Sequence, residues 1–351
     1  MHMADALISP AVGGTLWAVS AGLIGYCCKK VKTELSDYKV PLMGVTGAFI
    51  FAAQMINYTI PGTGSSGHLG GGMILAILLG PWAGFLVMAS ILTVQALFFA
   101  DGGILALGCN IFNLGFWTCF VAYPLVYKKI VNQKHQSQMR LFWGSMLSVI
   151  IGLQLGAFCV VLQTMFSGRA ELPFTGFVMA MQPIHLGIGV IEGVVTAGVV
   201  TFVAKAQPQL LEVSLSDAGK STVSIKFVVA VLLVVAIVTG GAISWFASGH
   251  PDGLEWSMFK ISGSEELDTP DKPVYEKLSG LQETTAFMPD YGFKEAESAG
   301  DEGEESATNW PAVDAGTTVA GLVGGLLTLL IAFGIGFLLK LKLKPQGPVK
   351  V

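Results

Sequence analysis

Charge is scarce in this chain. Only 13% of its residues are Asp, Glu, Lys or Arg, about half of the ~25% usual in soluble domains. Apolar residues make up 52% and the mean hydropathy is +0.65, so a soluble globular fold is excluded and a multi-pass membrane protein expected. With a net charge of −4, no nucleic-acid partner is expected. Cysteine is sparse too: Cys27, Cys28, Cys109, Cys119 and Cys159 sit in or beside apolar runs with no CxxC or Cys/His zinc spacing. They read as small buried hydrophobes. The first apolar stretch has no basic region ahead of it and Asp5 is acidic, so no cleaved signal peptide is expected.

Other motifs are incomplete. HExxH is absent, and no outer acidic residue is expected to pair with a histidine, which argues against an intramembrane metalloenzyme. Gly62-Thr63-Gly64-Ser65-Ser66-Gly67 fits GxGxxG, but no βαβ unit surrounds it; its glycines suit a close backbone approach. Ala218-Gly219-Lys220-Ser221 lacks the first P-loop glycine, where Ser214 stands, so ATP hydrolysis by this chain is not expected. Asn57-Tyr58-Thr59 is a glycosylation sequon, meaningful only in a eukaryotic secretory route.

A bilayer core takes about 20 apolar residues per helix. Nine spans are expected: 10–28, opened by Ser9 as N-cap and Pro10, then 40–58, 69–79, 85–99, 104–127, 140–166, 177–203, 227–246 and 313–339. The expected fold is therefore all-α and polytopic. A seven-helix bundle (1–205) and a linker (206–225) precede a C-terminal unit (226–345), whose two helices flank an outer loop, 248–312. Lys29, Lys30, Lys32, Lys39, Lys128, Lys129, Lys134, Arg140, Lys205, Lys220, Lys226, Lys340, Lys342 and Lys344 fall on one side of this alternation; among short loops only Arg169 falls on the other. The positive-inside rule then puts the N-terminus outside and the C-terminus in the cytoplasm. Residues 250–314 hold sixteen acidic residues against four lysines, which reads as a loose acidic loop with a more ordered start at Pro251-Asp252-Gly253-Leu254-Glu255-Trp256.

What is present at the N-terminus is a chelator. A histidine at position 2 sets three nitrogens side by side: the Met1 α-amine, the His2 amide and His2 Nδ1. A divalent metal that displaces the amide proton closes two fused rings over them, and square-planar nitrogen coordination suits Ni(II) and Cu(II). The bulk of His2 should spare Met1 from aminopeptidases. His68, flanked by glycines on the same outer face, is the natural fourth nitrogen. His135 reads as a solvated loop residue and His250 opens the outer loop. His185, inside a span with Glu192 two turns on, either supports the ligands or makes a structural hydrogen bond. Asn110 and Asn113 either orient the ligands or tie helices together. Met55, Met73 and Met181 form no Cu(I)-type cluster. Gly44, Ala48 and Ala52 make a small-residue stripe that packs either the chain's own bundle or a partner.

Met1-His2-Met3-Ala4-Asp5-Ala6-Leu7-Ile8-Ser9-Pro10, the glycine-flanked His68 and Asn110-x-x-Asn113 resemble the CbiM/NikM family over about residues 1–205. These are substrate-binding S components of nickel/cobalt energy-coupling-factor (ECF) transporters. The Pro-Asp-Gly-Leu-Glu-Trp start makes 226–345 similar to the PDGLE (NikN/CbiN-like) component, here fused. The resemblance implies metal ligation by Met1, His2 and His68 and import of Ni(II) or, alternatively, Co(II) for cobalamin biosynthesis, with no permanently bound cofactor. It also implies location in a prokaryotic cell membrane, a CbiQ/NikQ-like transmembrane T component touching Gly44, Ala48 and Ala52, and CbiO/NikO-like ATPase subunits. The chain would then be a transporter subunit and not an enzyme. A membrane scaffold or sensor with an incidental terminus is the rival outside transport.

Overall fold

The computed structural model describes residues 2–36, 38–131, 137–211, 223–294 and 310–341. Met1, His135, Lys134, the 218–221 motif and the lysines after Leu341 lie outside the described residues. We number the helices α1 (Pro10–Val31), α2 (Lys39–Gln54), α3 (Gly72–Leu79), α4 (Pro81–Phe98), α5 (Leu107–Ile130), α6 (Gln138–Phe166), α7 (Phe174–Ala206), α8 (Ile225–Gly241), α9 (Gly253–Ser262), α10 (Pro273–Thr285) and α11 (Ala315–Leu341). A two-stranded antiparallel hairpin pairs β1 (Tyr58–Ile60) with β2 (Ser65–Gly67), with Tyr58 opposite Gly67.

Local chemistry explains the helix starts. Ser9, Ser137 and Ser224 each accept a backbone N–H of the first turn through the side-chain oxygen, satisfying a donor with no partner inside the helix. Pro10 fits α1 because its missing N–H falls where no intrahelical bond is due. Among the described residues six helices, α1, α4, α5, α6, α7 and α11, are long and apolar enough to cross a membrane; α8 is apolar but shorter. Outward-facing apolar side chains such as Leu147, Ile151, Val190, Val194, Leu326 and Leu330 suit a lipid surround, whereas their exposure to water would be costly.

Two spans expected from the sequence require correction. Helix α3 has only eight residues, about 12 Å of rise, and cannot cross a bilayer. Gly80, at φ 80°, and Pro81 break it from α4. The preceding stretch, 58–71, is hairpin and loop packed within the protein, which is where irregular backbone is tolerated at membrane depth. Helix α2 is shorter than expected, and Leu42–Gln54 is buried throughout.

The small-residue stripe is a second correction. A Cβ at Gly44 would lie 3.0 Å from the Leu329 carbonyl oxygen and 3.1 Å from Phe333 Cβ, and one at Gly47 would lie 3.2 Å from Thr328. The chain's own α11 thus covers the face expected to meet a T component. Missing side chains let the two backbones approach closely, which joins the C-terminal unit to the first bundle.

The outer segment is largely folded up to Lys294. Asp252 accepts the N–H of Leu254 and Glu255, while Glu255 accepts the Asp252 N–H. This reciprocal capping box starts α9. Leu254, Met258, Tyr275, Ala286 and Met288 are buried. Backbone bonds from Ser66 N–H to Pro251 O (2.8 Å) and from Asp290 N–H to Phe99 O (2.9 Å) tie the segment to the first bundle.

Candidate metal centre

Residues 2–8 form an arm seated against the start of α5. Met3 is fully buried, worth about 1.5–3 kcal/mol for a side chain of its size. Asn110 accepts the Met3 N–H at 2.8 Å and donates its amide to Met3 O at 3.2 Å; Gly103 N–H reaches the same carbonyl at 3.0 Å. Asp5 accepts the Ala106 N–H at 2.9 Å. Gly102 has φ 81°, and a Cβ there would lie 2.8 Å from Asn110 Nδ2 and 3.4 Å from His2 Cβ. Only glycine suits that spot on both conformational and steric grounds.

The arm brings His2 beside His68, ring centroids 5.0 Å apart and planes 12° from parallel. His68 Nδ1 lies 3.1 Å from the Leu69 carbonyl. A carbonyl only accepts, so Nδ1 carries the proton and the lone pair sits on Nε2. Burial first, then the neighbouring positive groups, push the His68 imidazole down to about 3, so it is neutral throughout the physiological range. His2 Nδ1 faces Asp101 Oδ1 at 2.9 Å, and its buried Nε2 makes no hydrogen bond among the described residues. Burial alone would raise the Asp101 carboxyl. The His2 imidazole and the hydrogen bonds from His2 and Tyr291 outweigh it and hold it at about 2.

The loop carrying His68 is locked from below. Glu192, in α7 and 2% exposed, accepts the N–H of Gly70 at 2.8 Å and of Gly71 at 2.9 Å. Gln54 donates to Gly70 O at 2.8 Å and accepts from Gln95 at 2.9 Å. A Cβ on Gly67 would lie 2.5 Å from Ile188, so β2 sits hard on α7. His185 donates from Nδ1 to Met181 O at 2.8 Å, and its buried Nε2 makes no hydrogen bond among the described residues. It borders a small space shared with His68, Asp252 and Gly253. Asn113 serves both alternatives, exchanging two 2.8 Å bonds with Gln163 of α6 and touching the arm from Nδ2 to Met3 Sδ at 3.6 Å.

The C-terminal unit completes the surround. Asp252 lies by His68, where burial raises its carboxyl but nearby positive charge and the hydrogen bond from the Glu255 N–H pull it well below the usual range. Ser66 donates to His250 O at 2.7 Å and Trp256 to Thr63 O at 3.0 Å, while Tyr291 donates to Asp101 and Tyr275 to Ile8 O at 2.8 Å. Sequence reasoning did not assign roles to Asp101, Asp252, Tyr291 and Gln54. Glu192 carried the one available signal, a carboxylate inside an apolar helix. Among the described residues no group of three or more His, Cys, Asp or Glu is placed to hold a metal, so a chelate here draws on backbone nitrogen as well.

Fold and site together define a multi-pass membrane protein with two histidines drawn together at one end of a helical bundle. Residues 2–210 match the family described as "Cobalt uptake substrate-specific transmembrane region" (CbiM), and residues 226–341 match the PDGLE domain. An Archaeoglobus fulgidus protein, provisionally named as the fused nickel transport protein NikMN, is 31% identical over 340 residues, covering 95% of this chain and 98% of that one. The cobalt transport protein CbiM of Sorangium cellulosum is 28% identical over 60% of this chain and 95% of its own length. A crystal structure of a transition metal transporter matches with a TM-score of 0.52 and 29% identity, over 58% of this chain and 93% of that one. The chain belongs to the CbiM family, as a metal-transport component fused to a PDGLE domain.

Proposed function

We propose that this chain is the substrate-capturing subunit of an ATP-driven ECF-type importer and that its substrate is Ni(II). The observation that carries the reading is the pairing of His2 with His68. The donors in this reading are the Met1 amine, the His2 amide nitrogen, His2 Nδ1 and His68 Nε2. Four nitrogens in a plane favour Ni(II) over Co(II) by ligand field. Co(II) is the alternative, since family members named for cobalt transport share the architecture.

Chelation through Nδ1 requires the His2 ring to turn away from Asp101, exchanging a hydrogen bond for a metal bond. The arm needs little other movement, because Asn110 and Gly103 already fix Met3. Loading expels protons from the amine and amide, so affinity falls as pH falls. In this reading the site faces outward. Reorientation against a T component, driven by separate ATPase subunits, releases the ion to the cytoplasm. With Gly44 and Ala48 covered by α11, the T component docks on another face.

Radiometal uptake by cells making the full chain, with and without coexpressed T and ATPase subunits, tests the reading. Expected is nickel accumulation that needs the ATPases and is lost in His2→Ala and His68→Ala. Cobalt accumulation alone moves the substrate to the alternative; uptake indifferent to both histidines refutes the site.

A further inference from the structure

Tyr291 belongs to the C-terminal unit, yet its hydroxyl reaches the first bundle and donates to Asp101 Oδ2, while Oδ1 of the same carboxylate takes His2 Nδ1 at 2.9 Å. Packing alone would not call for that hydroxyl. The Tyr291 ring stacks on Phe99 with centroids 5.1 Å apart and meets Phe51 edge-on at 6.2 Å. Phenylalanine would fill that seat as well, and a hydroxyl set among aromatic rings needs a partner. The backbone on both sides of the contact is held against its preference. Ala100, ahead of Asp101, and Asp290 and Tyr291 have φ of 55°, 49° and 60°, and among the described residues no other non-glycine residue has a positive φ. Such conformations persist where the surroundings enforce them, and they gather at functional sites. The enforcement is visible here: Met288 N–H donates to Phe98 O at 3.3 Å and Asp290 N–H to Phe99 O at 2.9 Å.

His2 supplies the other half. Its Nε2 is buried and makes no hydrogen bond among the described residues. A half turn about Cβ–Cγ takes Nδ1 off Asp101 and frees it for a metal, keeps the ring plane against His68 and exchanges Cε1 for Nε2. Cε1 is bonded to Nδ1, so it lies on the Asp101 side before the turn and Nε2 lies there after it. Nδ1 gives its proton up to solvent, and Nε2 takes one and donates it to the carboxylate. Metal-bound imidazole is commonly held in this way, its second N–H on a carboxylate that fixes the ring and raises its basicity. We propose that Tyr291 is a positioning residue of the metal centre, fixing Asp101 so that the carboxylate receives His2 Nε2–H once Nδ1 is on the metal. The fused C-terminal unit thereby sets the affinity of a site to which it contributes no ligand. The role rests on the metal centre proposed above, whereas the link from Tyr291 through Asp101 to His2 in the metal-free chain does not.

The test is nuclear magnetic resonance of the full chain in nanodiscs, labelled with nitrogen-15 histidine, without metal and with Ni(II), whose square-planar form is diamagnetic. The His2 ring is assigned by its loss in His2→Ala. Expected is a His2 ring proton on Nδ1 without metal and on Nε2 with nickel, slow to exchange with water in both states. Tyr291→Phe should speed that exchange in both states and raise the nickel Kd about tenfold, the lower end of the effect of losing such an outer partner. Trp245→Phe, which removes the 2.7 Å bond to Thr318 within the C-terminal unit, should change neither. In an Asp101→Ala chain, Tyr291→Phe should add nothing further, because it acts through that carboxylate. Should Asp101→Ala fail to fold, Tyr291→Phe set against Trp245→Phe decides. Unchanged exchange and Kd in Tyr291→Phe overturn the positioning role, as does a nickel-bound His2 whose ring proton exchanges freely. A chain that binds no nickel refutes the metal centre, and exchange in the metal-free Tyr291→Phe chain then decides whether Tyr291 holds Asp101 on His2.

Discussion

Glu192→Gln separates holding a ligand in place from holding the fold together. Glu192 accepts two consecutive N–H groups, from Gly70 and Gly71, at 2.8 and 2.9 Å. Accepting both through separate oxygens requires the acceptor-only carboxylate. Glutamine keeps one oxygen and turns an NH₂ toward the other N–H, so one charge-assisted bond, about 1.5–3 kcal/mol, gives way to two opposed donors. The segment two residues beyond His68 then loses its anchor, and binding must supply the ordering. A penalty of about 2 kcal/mol corresponds to roughly a thirtyfold rise in nickel Kd. Global stability should move much less, because the substitution also removes a buried charge whose desolvation opposes folding. Calorimetric titration of the purified chain measures the affinity, and the nickel ligand-field absorption band should keep its position, since no donor changes. A Kd within threefold of wild type in a folded variant refutes the anchoring role.

Two further outcomes follow. His68 titrates at about 3 in the folded chain against about 6.5 unfolded. Between these values the unfolded state binds the extra proton, so the stabilisation from neutral His68 is complete above pH 6.5 and is lost as pH falls toward 3. The thermal midpoint of the metal-free chain should therefore drop with acidification in that window, and less steeply in His68→Ala. Gly102→Ala puts a Cβ 2.8 Å from Asn110 Nδ2 at φ 81°, strain of order 1–3 kcal/mol. It should loosen the arm, seen as faster amide exchange at Met3 and Gly103 and at least tenfold weaker nickel binding.

The long spans were legible because twenty-odd apolar residues between cationic flanks have few alternatives to crossing a membrane. Length also exposes where that reasoning fails: the apolar run before Gly80-Pro81 looks like a short span, but its first residues belong to the Glu192-held loop, which leaves a helix of only eight residues. The outer segment misled by composition. Among the described residues, acidic side chains such as Glu265, Glu266, Asp268 and Asp271 are exposed, while the residues that fold the segment, Leu254, Met258, Tyr275 and Met288, bury against partners distant in sequence. Periodicity within the segment cannot reveal such partners. The Gly44–Ala52 stripe announced a close helix contact, but small residues carry no address, and α11 occupies it. At the site, His2 and His68 stood out as rare side chains on one predicted face. Asp101 and Tyr291 are ordinary residues given meaning by a fold that joins the arm to the C-terminal unit.

The central claim is that the chain's own amino-terminal nitrogens, with His2 and His68, bind the transported ion. Its most direct test is Ni(II) titration of the purified full chain beside the same chain extended by Gly-Ser ahead of Met1, followed by ligand-field absorption and calorimetry. The account predicts a square-planar nickel spectrum and tight binding at one site per chain, both abolished by the extension. An extended chain that binds nickel with the same spectrum and affinity would contradict it.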